Sequence, residues 1–286
     1  MLFIFPLIYL TSFFIACREV FRGEKQGLLV FVIFGLSMYT TAMSVAFLLG
    51  LKDFIPVFQY FKEILVLATL LLNLLTLSYR PRFHLVDYLI LSFLAYTFIF
   101  AILPIGEQSF FERLIAFKSM SFFVVVYFTG RLMDIRSVYI SKYFNFVVLL
   151  TIAAGAVVAV EAATNQHLQT KTGFADYVYY FFNVEPGGDY GLSWTFQSEG
   201  GYKRFASFFA NPLEHASATL LALAIIIALF NRDDNRFKPS GMGWLALGGS
   251  LLSIIFALSR APFVSYFLVI YVYSLLTKKK YITHAV

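Results

Sequence analysis

Long apolar runs alternate with short polar connections along this chain. The runs cover residues 2–17, 27–50, 63–79, 85–105, 114–130, 145–162, 212–230, 241–258 and 262–277. Runs of this length suit helices that cross a hydrocarbon core about 30 Å thick. They are continuous rather than alternating, which argues against a β-barrel. The pattern predicts an all-α, polytopic transmembrane bundle of about nine spans, forming one domain over residues 1–286. A single long polar interval, residues 163–210, interrupts it.

The charges orient the bundle. Arg18, Arg22, Lys25, Arg80, Arg82, Arg131, Arg136, Lys142, Arg232, Arg236, Lys238 and Lys278–Lys280 fall in connections on one side. Lys52, Lys62, Arg113, Lys171, Lys203, Arg204 and Arg260 fall on the other. The positive-inside rule makes the first, richer set cytoplasmic. The N-terminus and the 163–210 loop are then outside and the C-terminus inside.

Composition agrees with a membrane class. The chain is 60% hydrophobic and 19% aromatic, with 13% charged residues and a mean hydropathy of +0.77. A soluble domain of that composition lacks the polar surface to face water. The net charge of +6 reports orientation rather than nucleic-acid binding, because the cations sit in short loops between spans. The single cysteine, Cys17, excludes an intrachain disulfide.

Candidate chemistry gathers at the outer ends of the late spans. Arg204 precedes the seventh span, with Lys203 beside it, Ser207 after it and Asn211-Pro212 opening the helix. A proline in a helix's first turn leaves donors and a positive dipole end that favour an anion. Arg260 stands with Ser259 in the Ser259-Arg260-Ala261-Pro262 corner, on the side disfavoured for cations. Guanidinium groups bind phosphate oxygens in bidentate fashion and stay charged. Arg204 and Arg260 together suit a diphosphate.

Lys118, a turn inside the fifth span, can snorkel outward or line the same cavity. Glu161, closing the sixth span, is expected to pair with one of these cations. Glu214 and His215 are candidate general bases, His215 more readily read as buried between helices. The aromatic strip Tyr177–Phe182, with Trp194, Phe196 and Tyr202, suits stacking on sugar rings or resting in the membrane interface. No metal-ligand cluster, Walker loop or dinucleotide fingerprint occurs, so no metal or other cofactor is expected.

At these residues the chain resembles the O-antigen ligase and O-antigen polymerase superfamily of bacterial membrane glycosyltransferases. The stretch from Arg204 through Asn211-Pro212-Leu213-Glu214 is similar to that family's arginine, small residue, aromatic, Asn-Pro pattern leading into a span. Ser259-Arg260 resembles its later Ser-Arg element. The resemblance implies a multi-pass protein of the bacterial inner membrane. Such a protein transfers glycan from an undecaprenyl-pyrophosphate carrier to a hydroxyl of lipid A core or of another glycan. It implies that Arg204 and Arg260 hold the diphosphate; Lys203, Ser207, Asn211, Ser259 and Lys118, by their places in the sequence, are the candidate further substrate contacts. Family members have more spans and a late outer loop carrying a histidine. This sequence ends soon after the Ser-Arg corner, so the resemblance implies a truncated or divergent member.

Two other classes fit the same composition. A transporter or flippase of lipid-linked oligosaccharide predicts charges along its spans and helices broken at mid-membrane. A non-catalytic scaffold needs the arginines only as interfacial anchors.

Overall fold

The computed structural model describes residues 2–77, 81–103, 106–133, 138–231 and 237–277. Arg80, Arg136, Arg232, Arg236 and Lys278–Lys280, used above to orient the spans, lie outside the described residues. The described chain is helical, with no β-strand. In order the helices are α1 (Ile4–Phe21), α2 (Lys25–Leu36), α3 (Tyr39–Leu48), α4 (Ile55–Leu75), α5 (Leu85–Ile102), α6 (Phe110–Arg131), α7 (Ile140–Thr164), α8 (Phe174–Phe182), α9 (Pro212–Phe230), α10 (Gly241–Phe256) and α11 (Arg260–Leu276).

Five of these elements are long and apolar enough to cross a membrane: α1, α4 with its leading turn, α5, α7 and α9. A sixth is counted if α2 and α3 form one bent span. α10 and α11 are shorter apolar helices, and α6 carries Glu112, Arg113 and Lys118. Each apolar run read from the sequence therefore has a helical counterpart, while the structure supports five to six spans by length and composition. Large apolar side chains such as Leu85, Leu221 and Trp244 are exposed on these helices. A surface of that kind is consistent with lipid contact.

Two elements differ from the expected runs for local reasons. The run 27–50 is not one straight helix. Its first half ends in a π-helical stretch at Phe31–Leu36, and the axis then bends by 57° into α3. Widened turns of this type are a recognised source of kinks. Gly35 permits it, since a Cβ there would fall 2.4 Å from the Phe31 ring. α4 begins near residue 55 instead of 63, because Pro56 fits a helix's first turn and Lys62 and Glu63 are accommodated within the helix.

The chain divides into two compact units. The first comprises Met1–Ser12, Val30–Ile55 and Tyr139–Val286. Within it α7 packs closely on α10, and α9 packs on α7, α10 and α11. Gly155 and Gly249 face each other, and a methyl at Gly155 would lie 2.4 Å from the Gly249 Cα. Small residues at a helix crossing let the backbones approach and gain dispersion contacts. Leu223, Ile227, Ile254, Ala257 and Tyr266 form the adjoining apolar core, and the Tyr266 hydroxyl is satisfied by Ser250 at 2.8 Å.

The second unit comprises Phe13–Leu29 and Pro56–Val138. α5 and α6 pack side by side, and Asn73 of α4 donates to the Thr129 carbonyl of α6 at 3.1 Å. Phe13 stacks on Phe61 with ring centroids 4.0 Å apart.

Replacing Gly155 by Leu is expected to force α7 from α10 and to cost about 1–3 kcal/mol by overpacking. Thermal unfolding of the purified protein in detergent checks this; an unchanged melting midpoint would contradict the close crossing.

Candidate functional site

The first unit holds an irregular segment, residues 204–211, against α3, α7, α9 and the end of α10. Buried backbone outside regular structure must find hydrogen-bond partners elsewhere. Here side chains from four elements supply them. α7 ends with Asn165 in the left-handed conformation, which turns the chain back over its own last turn. Glu161 in that turn is 3% exposed. The Leu168 amide donates to its Oε1 at 2.8 Å, and the Ser207 amide donates to its Oε2 at 2.9 Å. One carboxylate thus fastens both ends of the loop's path to α7. The expected pairing of Glu161 with a cation is replaced by these two backbone donors.

The remaining groups are met in turn. Gln169 donates to the carbonyls of Ser207 (2.7 Å) and Phe209 (2.9 Å). Thr41 of α3 donates to the Phe208 carbonyl at 2.8 Å, just past the bend. The Ser207 hydroxyl donates to the Ala154 carbonyl at 3.1 Å. His215 Nδ1 faces the Phe205 carbonyl at 3.4 Å, and its ring stacks on Phe209 with centroids 5.1 Å apart. Phe205, Phe208 and Phe209 are buried, so the aromatic side chains of this segment are core residues.

The same segment is joined to the corner between α10 and α11. The Phe205 amide donates to the Phe256 carbonyl, and Arg204 Nε donates to the Ala257 carbonyl, each at 3.0 Å. Arg260 begins α11 three residues further on. The segments bearing the two arginines are therefore bonded directly, with no helix between them. Each carries a non-glycine residue in the left-handed region, Ser207 at φ 53° and Leu258 at φ 46°. Such conformations cost about 1–3 kcal/mol and persist only where the surroundings fix them.

The two guanidinium groups differ in setting. Arg204 is half-buried, and burial lowers its pKa, although a guanidinium keeps its proton. Only its Nε is engaged; its terminal nitrogens have no partner among the described residues. Arg260 is 86% exposed and pairs with Glu199, itself 82% exposed, at 2.7 Å. An ion pair so open to water is readily exchanged for another anion. Glu199 lies five residues before Arg204, so the loop that carries one arginine supplies the counter-ion of the other.

The remaining residues singled out from sequence are distributed as follows. Lys203 donates to the Asn165 carbonyl at 2.6 Å and lies over the Tyr190 ring. Ser207 is fully buried and spends its hydroxyl on α7, which removes it from ligand contact. Asn211 caps α9, its Oδ1 accepting from the Leu213 and Glu214 amides at 3.0 and 2.9 Å. Those helix-end donors, expected to be open to an anion, are thus already used. Ser259 is buried at the N-cap of α11 without a capping bond. His215 is fully buried and cannot reach a ligand at the surface, whereas Glu214 is exposed. Lys118 belongs to the second unit, where it pairs with Glu63 at 3.0 Å and lies over Tyr60. In the aromatic strip, Tyr177 is buried, while Tyr179, Tyr180 and Phe182 are exposed, as are Trp194 and Tyr202.

His167 lies in the polar 163–210 interval, where the sequence predicts exposure to solvent, and the structure buries it. It is 2% exposed, enclosed by the rings of Tyr190, Phe196 and Phe205 at 5.1–5.4 Å, and neither ring nitrogen has a hydrogen-bond partner among the described residues. Burial, and to a smaller extent the Lys203 ammonium, holds its pKa down from 6.5 to about 4. Nothing in the local sequence marks this cage, because its walls come from residues 23 to 38 positions away. Among the described residues no group of three or more His, Cys, Asp or Glu is placed to hold a metal ion. No family model, curated protein or solved structure matches this chain.

Because His167 is neutral in the fold, an unfolded chain gains its proton as pH falls through 6.5, while the folded one resists until about 4. The stability tied to this residue is intact above that window and falls by about 3 kcal/mol across it. His167→Phe is expected to flatten that part of the pH dependence. Melting midpoints at neutral and acidic pH, native against variant, check it; an equal acid loss in both would contradict the buried neutral ring.

Proposed function

We propose that this chain is a multi-pass protein of the bacterial inner membrane that handles a diphosphate-linked glycan at its outer face. The reading takes nine spans, an outer N-terminus and a cytoplasmic C-terminus. One observation carries it: the Arg204 segment is hydrogen-bonded to the corner that Arg260 opens, so two cations border one loop–corner junction. One has unengaged terminal nitrogens, and the other holds only an exposed carboxylate that an incoming anion can replace. A diphosphate presents oxygens enough for both forks.

The reaction proposed is glycan transfer from an undecaprenyl-pyrophosphate carrier, as in the O-antigen ligase and polymerase type. A hydroxyl of the acceptor, a glycan or lipid A core, attacks the anomeric carbon. The bond from that carbon to the diphosphate oxygen breaks, and the carrier diphosphate leaves with the electron pair. The hydroxyl proton passes to a carboxylate, for which exposed Glu214 is the available candidate. Arg204 and Arg260 stabilise the charge that develops on the leaving diphosphate. A second reading, export of the same lipid-linked glycan, draws support from the 57° break between α2 and α3.

Arg204→Ala and Arg260→Ala are each expected to lower long-glycan attachment about a hundredfold, the scale of removing one stabilising donor. Surface glycan length and lipid-linked glycan are measured in the cell that makes the protein. Lipid-linked glycan building up on the outer leaflet supports transfer, build-up inside supports export, and unchanged glycan in both variants overturns both readings.

A further inference from the structure

The second unit contains a built cavity that the glycan reading does not use. It has a volume of about 330 Å³ and lies between α4, α5 and α6. Leu74, Leu91, Leu94, Val124 and Phe128 form its apolar walls. Arg82, Asp87 and Arg131 border one end through the carbon atoms of their side chains, with their charged groups outside the apolar space. Asp87 and Leu94 are seven residues apart on one helix, so the apolar space extends about 10 Å along α5 from the level of Asp87 at 1.5 Å per residue.

The charges at the mouth are unequal in what they have left to offer. Asp87 is 2% exposed and fully engaged. It accepts from the Tyr127 hydroxyl at 2.6 Å and from the His84 amide at 2.7 Å, and Arg131 Nε lies 3.4 Å away. Arg131 also donates to the Arg82 carbonyl at 2.9 Å. Asp87 therefore offers no free oxygen to a cation, and Arg131 is committed to Asp87 and to the backbone. The Arg82 guanidinium is different: it is exposed and has no partner among the described residues. Just outside the apolar space stands one cation with no partner among the described residues, beside a second arginine that holds the scaffold.

We infer that this cavity binds one anionic phospholipid of the bilayer, an acyl chain lying along α5 and α6 and its phosphate on the Arg82 guanidinium. A soluble anion has no use for the apolar depth, and a neutral hydrocarbon has none for the free arginine. An amphiphile with a negative head matches both ends. Basic pockets between membrane helices recognise anionic headgroups by this combination. Each methylene withdrawn into the cavity adds to the binding, while the head contact sets the choice between lipids. Asp87, held by three donors, fixes the mouth: it aligns the start of α5 with the end of α6.

The test uses the full-length protein extracted from vesicles of equal phosphatidylglycerol and phosphatidylcholine with matched chains, followed by native mass spectrometry of retained lipid. The native protein is expected to retain one phosphatidylglycerol about fivefold over phosphatidylcholine, the selectivity one arginine at the surface supplies. Arg82→Ala brings that ratio to about one, and Arg82→Lys preserves most of it. Leu91→Trp, which fills the cavity, removes the retained lipid of either kind. Equal retention of both lipids by the native protein, or a preference that survives Arg82→Ala, overturns the proposal. Lipid still held after Leu91→Trp in protein with a native circular dichroism spectrum overturns the placement of the chain.

Discussion

A carboxylate that receives two backbone amides organises the first unit. Glu161 sits almost wholly out of water, where an unmet carboxylate costs several kcal/mol. The Leu168 and Ser207 amides meet it, one on each oxygen. The same bonds satisfy two amides that would otherwise be stranded in an irregular, buried stretch of chain. The dependence is mutual. The loop is held because Glu161 needs donors, and Glu161 is tolerated because the loop supplies them. Gln169 and Thr41 then complete the carbonyl side, so the segment from Arg204 to Asn211 is defined without belonging to a helix or strand.

That definition reaches the surface through the chain's own connectivity. The carboxylate lies on α7, whose close crossing with α10 depends on Gly155 and Gly249. α10 delivers the Phe256 and Ala257 carbonyls to the loop, and the loop answers with the Phe205 amide and Arg204 Nε. Helix packing, the buried carboxylate and the arginine at the corner are thus successive links. The left-handed residues Ser207 and Leu258 fall on the two irregular segments that meet at this junction. Their strain is carried by the surrounding bonds, as is common where a loop is held ready for a ligand.

Much of the helical architecture was legible in the order of residues, because apolar runs bounded by charges and prolines leave few alternatives. The break between α2 and α3 was not. It turns on how Gly35 packs against Phe31, and an apolar run reads the same whether its axis is straight or bent. Among the site residues, the place of Arg204 beside a helix-opening Asn-Pro was readable. What Asn211 does with its side chain was not, since a cap that closes the donors and an open anion site share one sequence pattern. Glu161 is legible as a charge at the end of a span but its amide partners are not, because sequence shows charges and not the direction of backbone amides. The polarity of its neighbours predicts solvent around His167, and aromatic rings distant in sequence enclose it instead.

Amide hydrogen exchange over residues 204–210, read by mass spectrometry in the native protein and in Glu161→Gln, tests the clamp most directly. Glutamine keeps the size of the side chain but turns an N–H₂ group toward one of the two amides. Losing one such bond, worth about 1–3 kcal/mol when the partner is left buried, predicts exchange about 5- to 150-fold faster in this segment, with α9 unchanged. Exchange in residues 204–210 that is the same in both proteins would contradict the account, and with it the reason for Arg204 standing where it does.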